Sequence, residues 1–148
     1  MIFYKNNAYP EIFLHDCRFE LEYENKILRF IFKDGFCKEA KDGIEIIKGC
    51  IQISNISPNE VTIRHRKNKR GFGKHRELVS VIDFADLKRL TQNRYTEVID
   101  EYYSSERLLY RCGLYPCDRN NSFELVDIEI DFGDGALEYY VFNDVKLH

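Results

Sequence analysis

From His15 onward the chain alternates polar and apolar residues. Cys17, Phe19, Leu21 and Tyr23 fall on one face, and Asp16, Arg18, Glu20, Glu22 and Glu24 on the other. That is the period of a half-buried strand. Leu28, Phe30 and Phe32 repeat the rhythm, and a two-residue turn at Asn25-Lys26 would set Tyr23 against Leu28, Leu21 against Phe30 and Phe19 against Phe32. A slip of one residue would turn these aromatics to water, so the pattern itself selects the register. On the outer face the same register sets Glu22 opposite Arg29, a modest further support.

A second hairpin is predicted near the end of the chain. Val126, Ile128, Ile130 and Phe132 would return through Leu137, Tyr139 and Val141 around Asp134-Gly135, a dipeptide suited to a tight type I′ turn. This pairs Phe132 with Leu137, Ile130 with Tyr139 and Ile128 with Val141. Between the hairpins, strands are expected near 44–54, 60–66 and 77–83, with turns at Asp42-Gly43 and Ser57-Pro58-Asn59. One region breaks the strand rhythm. From 84 to 103 the residues Leu87, Leu90, Val98, Ile99 and Tyr102 follow helical spacing, with Asp83 or Asp86 placed to cap the start and Asn93 as an interruption. A strand over 107–112 and a loop over 117–122 would follow. The expected fold is mainly β, α+β by strict count: an antiparallel sandwich or open barrel of about eight strands with one covering helix near 84–103.

A length of 148 residues suffices for one core, and no linker-like segment divides it, so 1–148 is expected to be a single domain. The N-terminus lacks a basic region followed by a long apolar run, and no later segment approaches a membrane span, which makes the cytoplasm the expected compartment. Richness in Ile, Lys, Asn, Tyr and Phe suggests an AT-rich bacterial genome. Cysteines 17, 37, 50, 112 and 117 are odd in number and scattered, and read as reduced core thiols. Cys112 and Cys117 enclose four residues and have no second Cys or His pair nearby, so no metal or other cofactor is expected.

Charge changes this picture most. The stretch from Arg64 to Arg76 holds Arg64, Arg66, Lys67, Lys69, Arg70, Lys74 and Arg76, leaving 15 basic against 25 acidic residues elsewhere. Such a division can steer a charged partner to one end of a molecule. Within this stretch Arg70-Gly71-Phe72-Gly73 matches the opening of an RNA-recognition-motif signature, and Phe72 could stack on a base. The match then fails, because Lys74 and Glu77 stand where aromatics belong and the companion strand is too near for the intervening elements. Asp127, Glu129, Asp131 and Glu138 partly imitate a calcium-binding loop, yet Phe132 occupies the position that requires Gly. They read instead as an acidic ladder able to meet a basic partner. His15-Asp16 begins a strand, where neighbouring side chains diverge and cannot share one metal as in the HD phosphohydrolases.

His15-Asp16-Cys17, the hairpin after it and the turn expected at Asp34-Gly35-Phe36 resemble a pattern found in small β-rich bacterial proteins, some of them similar to immunity proteins of polymorphic toxin systems. The resemblance covers the first quarter of the chain and implies a small cytosolic binding protein; it transfers no catalytic residue. The leading expectation is therefore a non-catalytic protein-binding module, of immunity or regulatory type, with the basic hairpin or the acidic ladder as its contact. A nucleic-acid-binding accessory protein acting through 64–76 is the alternative, and a small hydrolase the third.

Overall fold

The computed structural model describes residues 2–5, 12–71, 74–104, 106–116, 124–133 and 137–141. Its strands are β1 (Ile2–Lys5), β2 (Ile12–Phe13), β3 (Arg18–Glu24), β4 (Ile27–Ala40), β5 (Gly43–Ser54), β6 (Val61–Gly71) and β7 (Lys74–Ile82). The helix α1 (Phe84–Leu90) follows, and then β8 (Tyr95–Tyr103), β9 (Arg107–Tyr115), β10 (Glu124–Asp131) and β11 (Leu137–Val141). The mainly antiparallel β fold with one helix is as expected, with eleven strands among the described residues against about eight expected.

The strands form one sheet in the order β1-β11-β5-β4-β3-β8-β9-β10-β6-β7, with β2 beside β4. Among the described residues its two halves join through a short β3–β8 ladder, Arg18 opposite Glu97 and Phe19 opposite Thr96, extended by bonds between Asp16, Cys17 and Val98. They share a core, in which Phe19, Phe30 and Phe32 of one half meet Tyr110, Cys112, Val126 and Ile128 of the other. The Phe30 ring packs edge-on to Tyr110 at 5.0 Å between centroids, a favoured aromatic geometry. The arrangement combines the two expected architectures: a single sheet folded over on itself, with β1 and β7 at its outer edges among the described residues.

The first hairpin has the expected register, with Tyr23 opposite Leu28, Leu21 opposite Phe30 and Glu22 opposite Arg29. Phe19 pairs with Thr96 of β8 rather than with Phe32, although the Phe19 and Phe32 rings stay 5.9 Å apart. Asn25 and Lys26 take φ of 52° and 60°, the left-handed values of a type I′ turn. Asp34-Gly35-Phe36 is not a turn but a bulge inside β4, where the register against β5 shifts between Phe32 and Phe36. Gly35 has φ 99°, and a Cβ there would lie 2.6 Å from the Ile46 side chain, so only glycine fits the kink without displacing its neighbour.

Two expectations are corrected. β10 and β11 do not pair with one another: β10 lies between β6 and β9, and β11 between β1 and β5. Ile130 therefore faces Val61 and Leu108 rather than Tyr139, and Ile128 faces Ile63 and Tyr110 rather than Val141. The end of β10 is instead tied to the β8–β9 connection, Phe132 N donating to Glu106 O at 2.9 Å. Alternating strands on either side of Asp-Gly fit a hairpin locally, but each finds two other partners; residues 134–136 lie outside the described part.

The helix also ends at Leu90, not near 103. Asp83 caps it by accepting from Asp86 N at 2.7 Å, and Asp86 reciprocates toward Asp83 N. Asn93 then takes φ 60° and the chain re-enters the sheet as β8. A bulge between Val98 and Asp100 flips the phase of β8, so that Thr96 and Val98 are buried before it and Glu101 and Tyr103 are drawn inward after it. A phase flip within a strand imitates helical spacing, which is why Val98, Ile99 and Tyr102 suggested a helix.

Candidate functional site: a groove along strand β3

The basic stretch and the acidic ladder turn out to be neighbours. β6 and β7 form a hairpin, and Arg64 on β6 lies opposite Asp127 on β10. Arg64 binds Glu129 at 2.8 Å, and Arg66 reaches Asp127 at 3.2 Å and Glu77 at 3.5 Å. From the other side, Arg111 on β9 forks onto both Asp127 oxygens at 3.1 and 3.4 Å, and Arg107 meets Asp131 at 3.4 Å. Arg64 and Arg66 of the basic stretch are thus engaged by the acidic ladder that the sequence sets far from them.

The inner end of this ladder is buried. Glu124 accepts a bond from Arg94 at 3.2 Å and pairs with His65 Nε2 at 2.8 Å, with Lys67 Nζ 4.0 Å away. Burial raises the Glu124 pKa, but the bonds from His65 and Arg94 and the charges of Arg94 and Lys67 outweigh it, so the carboxyl sits below its usual value. Glu138 belongs elsewhere: it lies on β11 opposite Gln52 and Tyr4, with five strands between it and β10. Lys69 and Arg70 fall on β6 and Lys74 and Arg76 on β7, with Lys69 opposite Arg76; Phe72 lies outside the described residues.

The open feature of the surface is where the two half-sheets part. The β3–β8 ladder stops after Phe19 and Thr96, although β3 continues to Glu24. Val98 N donates to Cys17 O at 3.0 Å, so the odd-numbered residues here turn their backbone groups toward β8. Alternation then turns the amide and carbonyl of Leu21 and Tyr23 to the same side, where no strand of the described residues meets them, while Glu20, Glu22 and Glu24 bond toward β4. This edge borders a groove of about 800 Å³, walled by β3 from Phe19 to Glu24, by Phe84, Ala85, Leu87 and Lys88 of α1, and by Arg94 to Thr96.

The groove has an apolar wall and an acidic rim. Tyr23 stacks on Phe84 at 4.8 Å between centroids, which fixes α1 against the end of β3. Glu22 and Glu24 are exposed on the outer face, and Glu20 is held by Lys33 at 2.7 Å. At the other end, Arg18 lies over the Tyr95 ring at 3.8 Å. Arg94, fastened to Glu124, keeps its Nε buried without a hydrogen-bond acceptor among the described residues.

Sequence alternation located the glutamates of β3 but not their importance. Alternation reports which face is buried and carries no information about which edge lacks a neighbour. No other signal in the chain marks the groove, since α1 and Arg94 reach it only through the tertiary fold.

The four described cysteines, Cys17, Cys37, Cys50 and Cys112, are free thiols. Among the described residues no three His, Cys, Asp or Glu side chains gather as metal ligands, and no helix is long and apolar enough to cross a membrane. No protein-family model, curated protein or solved structure matches this chain.

Proposed function

We propose that this protein is a bacterial, cytoplasmic, non-catalytic protein-binding module of the immunity or regulatory type, which takes an extended segment of its partner as an added strand along β3. The backbone of Leu21 and Tyr23, unpaired among the described residues and bordering a groove of about 800 Å³, is the observation that carries this reading. The partner's chemistry follows from the two faces of β3. An added strand would lay alternate side chains against the apolar Leu21, Tyr23 and Phe84, and the intervening ones beside Glu22 and Glu24. A segment alternating apolar with Lys or Arg fits both. The resemblance to immunity proteins supports a basic toxin surface as the natural source of such a segment.

A labelled peptide of alternating Val and Lys tests the proposal by fluorescence anisotropy, alongside a Val-Glu peptide of equal length. Saturable binding of the basic peptide only, with slower amide exchange at Leu21 and Tyr23, is expected. Glu22→Lys with Glu24→Lys should weaken it about tenfold, as expected for two rim charges. Equal binding of both peptides, or exchange protection elsewhere on the sheet, would contradict the assignment.

A further inference from the structure

The second unpaired edge is β7. It ends the strand order, and among the described residues its only neighbour is β6. Every second residue of this nine-residue strand therefore turns its amide and carbonyl away from the sheet. Leu78, Val79 and Val81 are 46%, 50% and 72% exposed, so apolar side chains stand in water on both faces of the strand. Edge strands in soluble proteins are normally blunted by proline, a bulge or a charge. From Leu78 to Ile82 none of these is present.

We infer that two copies of this chain associate through β7, edge to edge and antiparallel about a twofold axis. The order of residues in the strand selects a second copy over other occupants. Residues 74–83 run Lys-His-Arg-Glu-Leu-Val-Ser-Val-Ile-Asp, basic at the start and acidic at the end. A parallel copy would set the basic ends side by side. An antiparallel copy brings each basic end to the other's Asp83, and with Val79 on the axis it sets Val79 against Val79, Leu78 against Ser80 and His75 against Asp83. The surface is then self-complementary, covers the exposed valines and continues the sheet across the axis. It uses an edge other than β3, so the dimer leaves the groove open.

Sedimentation velocity from about 1 to 200 µM is the direct measurement, a range suited to a small edge contact. A reversible monomer–dimer equilibrium is expected, with the amides of Val79 and Val81 becoming protected from exchange as concentration rises. Val79→Lys with Val81→Lys should weaken association at least tenfold while leaving the thermal midpoint near that of the unmodified protein, because both side chains are half or more exposed. Val79→Ile should keep the dimer. A monomer throughout, a dimer that survives the double lysine variant, or open-ended polymers formed by β7 of one copy on β1 of the next would overturn the inference. Binding of the basic peptide at β3 is read separately in the same double variant, so failure of one assignment does not disguise failure of the other.

Discussion

Replacing Asp127 by Asn tests whether the acidic ladder is an internal clamp or a docking surface. Asp127 is 3% exposed and receives Arg111 at 3.1 and 3.4 Å and Arg66 at 3.2 Å. Asparagine keeps the shape and one acceptor but removes the charge, leaving Arg111 without its counter-ion and Arg66 with Glu77 alone. Breaking a fully buried pair in this way costs about 3–5 kcal/mol. Here the Arg66 and Arg111 side chains are 30% and 33% exposed, so water recovers part of that loss. We expect a destabilisation of about 2 kcal/mol, or roughly 4–8 °C in the thermal midpoint for a chain of this size. Glu129→Gln provides the contrast. Its partner Arg64 is 35% exposed, as is Glu129 itself, and the cost should stay near 0.5 kcal/mol. Urea titrations of both variants, with Arg111→Gln added to close a double-mutant cycle on Asp127, give the numbers. An Asp127→Asn protein within about 0.5 kcal/mol of the parent, or no coupling to Arg111, would refute the clamp.

Glu124 has a carboxyl pKa held below its ordinary 4.5, so its stabilisation is complete above that value and is lost as pH falls through the lowered folded value. Glu124→Gln should therefore flatten the acid limb of a stability profile taken from about pH 6 to pH 3, and an unchanged limb would count against it. Burial pushes the Cys17 thiol up to about 11, leaving roughly a hundredfold less thiolate than a thiol at the ordinary value near 9. Iodoacetamide should thus modify half-buried Cys37 well before Cys17 or Cys112, and mass spectrometry of tryptic peptides would expose the opposite order. The hairpin tip should not bind single-stranded RNA or DNA with sub-micromolar affinity at about 0.15 M salt. Binding of that strength, abolished by Lys69→Ala with Arg70→Ala, would instead favour the nucleic-acid function.

Much of the local structure was legible in the sequence. Asn25-Lys26 and the alternation on either side of it determined the turn and register of the first hairpin from Leu21 to Phe30, because turn chemistry and a one-sided burial pattern both act between near neighbours. Asp83, Asp86 and Leu87 likewise marked the start of α1. The same local reasoning misjudged β10 and β11, whose alternation is equally compatible with any neighbour of matching pattern. It also misjudged β8, where a single bulge changes the phase of burial without changing the type of strand. The charges show the difference most plainly. Arg64 to Arg76 and Asp127 to Asp131 look like separate poles along the chain, and only the pairing of β6 with β10 brings Arg64 and Arg66 against Glu129 and Asp127. The open edges of β3 and β7 were likewise decided by tertiary structure. Sequence determines which face of a strand is apolar because that depends on its own side chains, whereas the neighbour at each edge depends on the competition among all the strands for the same backbone hydrogen bonds.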